Sequence, residues 1–190
     1  MDAGWVREVE TIERSAWAEL YSAPPQAFKE GLGLAQQRFG SALALAAKNV
    51  ASTQFNRVFG FGADAPAREQ DVDDAIVFMH ANAAPHWIAQ CADKDAARWF
   101  EARGFQPNAI PWAKMARGRA APMRITTSLA IDEIGLDAAD AFGTVVCAGY
   151  GAPLALAPWF KALAGRSGWR LYLGRDGIAA AAGVDMLIFV

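Results

Sequence analysis

The chain of 190 residues is poor in the residue types that build covalent or metal-bound frameworks. Its two cysteines, Cys91 and Cys147, are too few for a disulfide framework or a zinc site, and both are predicted to be small buried residues. Its two histidines, His80 and His86, exclude a multi-histidine metal site and are interpreted as helix-end and strand-start residues. No metal site is predicted.

Long apolar runs and clusters of basic residues are also absent. No stretch approaches the length of a membrane span, and the amino terminus, MDAGWVREVE, carries acids and lacks the apolar region of a signal peptide. The 18 basic and 20 acidic residues leave a net charge of −2, without a Lys/Arg cluster dense enough for a nucleic-acid surface. These absences predict a cytoplasmic protein that binds neither a membrane nor a nucleic acid.

What the chain does have is a high apolar content and alternating helix-like and strand-like segments. Apolar residues make up 54% of the sequence, enough to bury a sizeable core. Residues 41–48 favour a helix by composition, but their place beside the next strand indicates a strand. Asp93 is predicted to cap a helix over residues 94–103, and Gly104 is predicted to end it. The other predicted helices are a stripe of Trp5, Val9, Ile12, Ala16 and Leu20, and residues 26–32 and 72–79; the other strands are residues 55–62 and 86–92.

Residues 55–79, FNRVFGFGADAPAREQDVDDAIVFM, are predicted to form a strand, a sharp loop and an amphipathic helix. Gly60 and Gly62 thin one face of the strand near its carboxyl end, where a ligand could approach the backbone closely. Asn56 lies on the same face and is a candidate substrate contact, with a hydrogen bond to the backbone as an equal alternative. Phe59 and Phe61, on the other face, are predicted core residues.

A second, shorter domain is predicted in the carboxyl-terminal part of the chain. The basic stretch KMARGRAAPMR, residues 114–124, has no periodicity and indicates a linker. The predicted organisation is therefore a full domain at 1–116, a linker at 117–122 and a partial domain at 123–190. The elements of the partial domain are a strand at 126–134, a helix to about Ala148 begun by a capping box of Asp137 and Asp140, a short helix at 159–164 between Pro158 and Gly165, and a hairpin turning at Asp176-Gly177.

The two domains show a weak internal similarity. Ala23-Pro24 and Phe28-Lys29 in the first domain have counterparts in Ala152-Pro153 and Phe160-Lys161 in the second. In each case a helix precedes these residues and strands follow them, which indicates a duplication. The second copy runs to VDMLIFV without the helix, strand and helix that complete the first, so we expect a partial repeat.

The motif AARWFEARGF, residues 96–105, places an aromatic pair after an alanine and closes a helix on Gly-Phe. Together with the strand, loop and helix of residues 55–79, it resembles the GNAT superfamily of acyl-CoA-dependent N-acetyltransferases, in particular proteins with two such domains in tandem. The order of elements agrees over nearly the whole chain. The resemblance implies a GNAT-like acyl-CoA N-acyltransferase fold of the α/β class (α+β, with a mixed sheet).

The resemblance also implies a chemistry. In this family an amine attacks the thioester of acetyl-CoA, a splayed strand binds the pantetheine arm through its backbone, and a loop of the form Arg-x-x-Gly-x-Gly/Ala holds the pyrophosphate on helix amides. The acceptor would be a small-molecule amine. By position, the implied acetyl-CoA-binding residues are Phe59, Gly60, Phe61, Gly62 and Arg68, and the implied substrate residue is Asn56.

The sequence departs from the family pattern at two places. From Arg68 the loop reads REQDVD, so that Asp71 and Asp73 replace the small residues and no glycine is present. Four acids crowd the first turns of the helix, with Arg68 as the only nearby positive charge: Glu69, Asp71, Asp73 and Asp74. Phe100 stands where the family often has a tyrosine that protonates the departing thiolate. No catalytic residue is therefore assigned, and the first domain is predicted to be non-catalytic.

Two functional hypotheses follow from these observations. The first is a GNAT-family N-acetyltransferase-like protein, transferring acetyl to an amine, with a degenerate first domain. The second is a non-catalytic module that stabilises or positions a partner, either another copy of the chain in a homo-oligomer or a further carboxyl-terminal half. A third possibility is the binding of an apolar small molecule without chemistry.

Overall fold

The computed structural model describes residues 3–109, 121, 126–176, 179–181 and 186–188. The chain divides into two compact units, one made of Met1–Tyr21 and Pro25–Ala116 and the other of Ser22–Pro24 and Arg117–Val190. The predicted linker at 117–122 lies outside the described residues except for Ala121. In the part of the chain that is described, no helix is both long enough and apolar enough to span a membrane.

The first unit combines a mixed sheet with helices. Strands β1 (Leu34–Phe39), β2 (Ala42–Ala47) and β3 (Arg57–Phe59) form an antiparallel meander, and β4 (Ile88–Gln90) runs parallel to β3 after a helical crossover. The parallel pairing joins residues 57–59 to residues 88–90 and goes no further. The elements are α1 (Ala3–Ser22), α2 (Gln26–Leu32), β1 (Leu34–Phe39), β2 (Ala42–Ala47), β3 (Arg57–Phe59), α3 (Glu69–Asn82), β4 (Ile88–Gln90) and α4 (Lys94–Ala102).

Helices lie on both faces of this sheet. On one face α3 packs against β1 and β2 and contacts α4. On the other, Trp17 of α1 packs over the Arg57 guanidinium at 3.9 Å. Because both faces are covered, every residue of β2, ALALAA, is buried. The predicted α3 stripe is confirmed, since Val72, Ala75 and Met79 join Val58 and Phe100 in one buried cluster.

Several predicted elements of this unit are confirmed. The second helix covers Gln26–Leu32, and residues 42–47 form a strand. Asp93 caps α4, since one of its carboxylate oxygens accepts from the amides of Asp95 and Ala96 at 3.0 and 2.8 Å. Gly104 follows that helix with a φ of 89°, as its predicted role as a terminator requires.

Two strands differ from the sequence prediction. The edge strand β1, LAQQRF, was not predicted, because its exposed central residues break the apolar alternation that marks a half-buried strand. The strand predicted over residues 55–62 is regular only at Arg57–Phe59. Gly60 and Gly62 have φ values of 86° and 75°, which no regular strand accommodates, so the strand ends at Phe59.

The predicted buried stripe of α1 is only partly right. Leu20 is buried, whereas Val9, Ile12 and Ala16 are only half-buried, and the side chain of Trp5 lies outside the description. The more deeply buried positions lie on a different face of the helix, and two of them are charged. They are Glu10 at 4%, Arg14 at 2% and Tyr21 at 2% exposure.

The second unit has one sheet and a helical layer. Strand β6 (Trp169–Asp176) pairs antiparallel with β5 (Ala130–Ile134) and, along its other edge, with β7 (Ala179–Ala181) and β8 (Met186–Ile188). Helix α5 (Ala139–Tyr150) packs against α6 (Ala157–Lys161) and β6. The elements are β5 (Ala130–Ile134), α5 (Ala139–Tyr150), α6 (Ala157–Lys161), β6 (Trp169–Asp176), β7 (Ala179–Ala181) and β8 (Met186–Ile188), with 3₁₀ turns at Leu136–Ala138 and Leu154–Leu156.

The hairpin and the two helices of this unit are confirmed, with shifted details. Asp176 pairs with Ala179, so Asp176 belongs to the strand, while Gly177 lies outside the described residues. The predicted capping box is wrong, because Asp137 lies in a 3₁₀ turn and α5 starts without a side-chain cap. Pro158 lies in the first turn of α6, and Gly165 follows with a φ of 73°.

Candidate functional site

The predicted acetyl-CoA segment lies at the carboxyl end of β3, but its residues do not share one face. Phe59 belongs to the α1 side of the sheet and is fully buried. Phe61 is buried on the α3 side, where its ring lies 5.6 Å from that of Phe100. Gly60 and Gly62 lie in the turn beyond the strand, and side chains of the protein approach both.

The space above Gly60 is filled by Arg14 of α1. A Cβ built on Gly60 would lie 2.8 Å from Arg14 Cδ. The guanidinium donates to the Ser41 carbonyl at 2.6 Å and to both carboxylate oxygens of Asp64, at 2.6 and 2.8 Å. This bidentate pair fastens the loop after β3 to α1. The same hydrogen bond holds the pKa of the Asp64 carboxyl below its ordinary value of 3.8.

Asp93 occupies the space above Gly62. A Cβ built on Gly62 would lie 2.6 Å from Asp93 Oδ2 and 3.0 Å from its Cβ. The other carboxylate oxygen caps α4 by accepting from two amides, so the carboxylate is held in place from the helix side. A negative group therefore stands where the sequence predicted the close approach of a ligand.

Arg68, the residue predicted to meet the pyrophosphate, is engaged within its own helix. It is the N-cap residue of α3, and its guanidinium donates to the two Asp71 carboxylate oxygens at 3.0 and 2.5 Å. The Asp71 side chain is 7% exposed and lies over Gly40, where a Cβ would come within 2.5 Å of Oδ2. The buried carboxylate therefore lies between the start of α3 and the turn between β1 and β2.

A second cation also balances the acids of α3. Arg103, at the carboxyl end of α4, donates to both carboxylate oxygens of Asp73 and to Glu69 Oε1 at 3.1 Å. Hydrogen bonding by Arg103 lowers the pKa of the Asp73 carboxyl. The interpretation that Arg68 is the only positive charge near these acids is therefore wrong. Glu69, Asp71 and Asp73 are therefore paired with arginines of the protein, while Asp74 accepts a hydrogen bond from Gln70 at 2.8 Å.

Asn56, the candidate substrate residue, is fully buried and uses its side chain within the protein. Its amide nitrogen donates to the carbonyls of Val50 and Ser52 at 2.8 and 3.0 Å. Its oxygen accepts from the amides of Ala47 and Ala84 at 2.8 and 3.1 Å. These bonds join three segments of backbone, which is the alternative that the sequence left open, and the substrate contact stays a prediction.

A cleft of about 450 Å³ lies along β4 and the adjoining face of α4. Its wall is aromatic, with Trp87 4.9 Å and Phe100 5.1 Å from the ring of Phe105. Glu101 contributes a carboxylate to it, and Cys91 a thiol whose pKa burial raises to about 12, so the thiol is neutral and unreactive at neutral pH. None of the residues predicted to bind acetyl-CoA or substrate lines this cleft.

Sequence reasoning missed most of the charged side chains around the predicted acetyl-CoA segment. It identified only Arg68 and the acids of α3. Arg14 and Asp64 lie 50 positions apart, and Arg103 and Asp73 lie 30 apart. Such pairs leave no periodic or local signal in one sequence. The helical pattern gave no indication of Arg14, because position 14 lies on the side of α1 opposite the predicted apolar stripe.

The described residues contain no group of three or more histidine, cysteine, aspartate or glutamate side chains that could hold a metal ion. Comparisons of the chain with protein-family models, with curated proteins and with solved structures found no match.

Proposed function

We propose that this chain is a GNAT-type, N-acetyltransferase-like protein in which residues 1–116 form a non-catalytic module. The family assignment is supported by the resemblance of residues 96–105 and by the strand, loop and helix at 57–82. It is also supported by the short pairing of β3 with β4, which ends after Phe59 and Gln90, where the family has splayed strands. The module holds a partner rather than carrying out acetyl transfer.

The proposal rests on the carboxylates that occupy the predicted acetyl-CoA-binding region, from Gly60 to the first turn of α3. Asp93 stands over Gly62, and Asp71 is buried against Gly40 in a pair with Arg68. Anions bind helix N-termini through free amides and nearby cations. Here two arginines, Arg68 and Arg103, are already bound to carboxylates. A pyrophosphate would have to displace these carboxylates in order to bind the arginines.

The test is a calorimetric titration of the full chain with acetyl-CoA. We expect no binding tighter than about 0.1 mM, which corresponds to roughly −5.5 kcal/mol. Tighter binding would overturn the non-catalytic assignment. Light scattering on the same sample measures self-association, the expected behaviour if the partner is a second copy.

A double variant, Asp71→Gly with Asp73→Gly, tests whether the ion pairs are the reason that acetyl-CoA does not bind. It frees Arg68, leaves Arg103 paired with Glu69 alone and removes two negative charges, so we expect measurable affinity for acetyl-CoA. The matched control is Asp95→Gly with Asp140→Gly, which removes the same charge and the same side chains from the first turns of α4 and α5. An equal response of the two double variants would reject the explanation by ion pairs.

A further inference from the structure

We propose that the open edge of β4 binds an extended segment of a partner protein, which pairs with it as a fifth strand of the first unit's sheet. The segment is apolar at alternate positions, carries an arginine and lacks acidic residues. This interaction is the means by which residues 1–116 hold a partner, so it rests on the role proposed above for that module. It adds the surface and the kind of partner, and it involves no step of acetyl transfer.

The pairing of β4 with β3 leaves the backbone of β4 open on its other side. Ile88 directs its backbone to β3, since its amide donates to the Asn56 carbonyl at 3.1 Å and the two strands are parallel. Backbone groups alternate in direction along a strand, so those of Trp87, Ala89 and Cys91 point away from β3. β4 is the last strand of the sheet, and no described residue hydrogen-bonds these outward groups. They form a row of donors and acceptors suited to another strand.

This edge also lacks the features that keep other edges from pairing. Sheet edges in native proteins commonly carry charged side chains or proline, which discourage the addition of a foreign strand. Strand β1, at the opposite edge of the same sheet, carries Arg38, and the edge strand β5 of the second unit carries Asp132 and Glu133. Residues 87–92, WIAQCA, include neither a charged residue nor a proline. The edge of β4 is therefore suited to strand addition.

The cleft beside β4 decides what can reach this edge. Its volume is about 450 Å³, and its other walls are the face of α4 and residues 105–108. A short extended peptide can lie between these walls. A second copy that paired its own β4 here would bring its own α4 and residues 105–108 into the same space. The occupant is therefore a segment without such walls, a tail or an extended loop of another protein.

The lining of the cleft sets the sequence preference of the segment. The side chains of Trp87, Ala89 and Cys91 pack on the α3 side of the sheet, where the ring of Phe105 lies 4.9 Å from that of Trp87. Side chains of an added strand alternate between the two faces, so every second one meets this apolar wall. Among the described lining residues, Glu101 is the one with a formal charge at neutral pH. Its carboxylate favours an arginine in the segment and disfavours acidic residues.

Amide hydrogen exchange of the full chain, followed by NMR, tests whether the edge is open. We expect the amides of Ala89 and Cys91 to exchange at least about tenfold faster than those of Ile88 and Gln90, which face β3. Equal protection of Ala89 and Ile88 in the chain alone would show that the edge is already paired, and would overturn the proposal.

A capped peptide, acetyl-TVRVT-amide, is the probe for binding. Titrated into the ¹⁵N-labelled full chain, it should shift the amides of residues 87–92 with a dissociation constant of about 1 mM and slow the exchange of Ala89 and Cys91. Two control peptides carry one N-methyl group, either on the arginine or on the valine after it. Successive N–H groups of a strand point to opposite sides, so one control should bind at least about fivefold more weakly and the other should bind as the parent does.

Two variants of the chain separate the backbone edge from the charge. Ala89→Pro removes an outward amide, which an edge strand tolerates, so it should abolish the peptide shifts while the Ile88 amide stays protected. Glu101→Gln should weaken the peptide about threefold, as expected for one exposed charge. Asp95→Asn is the matched control on α4, since its carboxylate pairs with Arg98 and does not line the cleft.

Three results of the peptide experiments would overturn the proposal. The first is the absence of shifts at residues 87–92 with 5 mM peptide, about five times the expected dissociation constant. The second is an equal effect of the two N-methyl groups. The third is a set of shifts at these amides that depends on protein concentration without peptide, which would assign the edge to a second copy. The acetyl-CoA titration decides the non-catalytic assignment separately, so a failure of either one is distinguished from a failure of the other.

Discussion

Arg14 shows how one buried charge organises the region around Gly60. Its guanidinium is 2% exposed and bonds the backbone of two different segments, the Glu10 carbonyl in its own helix and the Ser41 carbonyl before β2. Its charge is balanced by Asp64, whose side chain is 48% exposed. A buried arginine that keeps a solvated partner avoids the full desolvation cost of a wholly buried pair.

The Arg14–Asp64 pair predicts a pH dependence of stability. Because Arg14 holds the folded-state pKa of Asp64 below its ordinary value of 3.8, the pair stabilises the folded chain at pH values above 3.8. That stabilisation is lost as the pH falls through the folded-state pKa. We expect the difference in free energy of unfolding between wild type and Asp64→Asn to be constant above about pH 5 and to shrink below 3.8.

Urea unfolding at a series of pH values measures this difference, which should stay under about 1 kcal/mol because Asp64 is half exposed to solvent. The control is the same comparison in an Arg14→Met background, where the main cause of the lowered pKa of Asp64 is removed and only the weaker attraction of Arg38 and Arg7 remains. A difference that survives in that background with the same pH profile would contradict the assignment of Arg14 as the cause.

At the scale of elements, the end of β3 is set by glycine conformation and by the helix behind it. Gly60 and Gly104 have nearly the same φ, 86° and 89°, but different surroundings. A Cβ on Gly60 would meet Arg14 at 2.8 Å, whereas a Cβ on Gly104 would meet nothing within 4 Å. A comparison of substitutions at Gly60 and Gly104 therefore separates the cost of a positive φ, which both share, from the cost of a steric clash, which is expected only at Gly60.

We expect Gly104→Ala to cost about 1–2 kcal/mol, the price of a left-handed backbone for alanine. Gly60→Ala should exceed that value by at least about 1 kcal/mol, because Arg14 must also move away from its partners. Denaturant unfolding of both variants gives the comparison. Equal losses would mean that Arg14 adjusts freely and that the approach of α1 does not constrain the turn.

Elements were predictable where their cause is local. Asp93 and Gly104 bracket α4 through capping and a left-handed residue, both of which are read from a few neighbouring positions. The edge strand β1 and the early end of β3 could not be predicted, because the first depends on pairing with β2 and the second on the positive φ that Gly60 adopts in the folded chain. The burial of Asp71 had the same kind of cause, since it rests on Gly40 from another element.

At the scale of the whole molecule, the two units bury their sheets differently. Strand β2 of the first unit is buried at all positions, with helices on both faces. Strand β6 of the second buries Trp169, Leu171 and Leu173, while Arg170 on its other face pairs with Glu133 of β5 at 2.9 Å. The alternating pattern of β6 identifies a sheet with one polar face.

Because each unit has its own sheet and core, local damage should remain local. Arg14→Met removes the bonds to Ser41 and Asp64, and we expect faster amide hydrogen exchange in peptides from α1, β2 and the loop after β3. Peptides of β6, residues 169–176, should exchange as in wild type. Mass spectrometry of the full-length chain measures both. Faster exchange across β6 as well would show that the two units unfold as one.

The amino-acid sequence alone was sufficient for the α/β class, for most helices, for the strand at residues 42–47 and for the hairpin of the second unit. Those features follow from periodicity, caps and glycines, which act between near neighbours in the chain. Which side chains occupy the predicted acetyl-CoA-binding region was decided only by the tertiary structure. Arg14 reaches Asp64 across 50 positions, and Arg103 reaches Asp73 across 30, because helices and strands bring distant charges together. Electrostatic pairs of that range leave no mark in a local pattern.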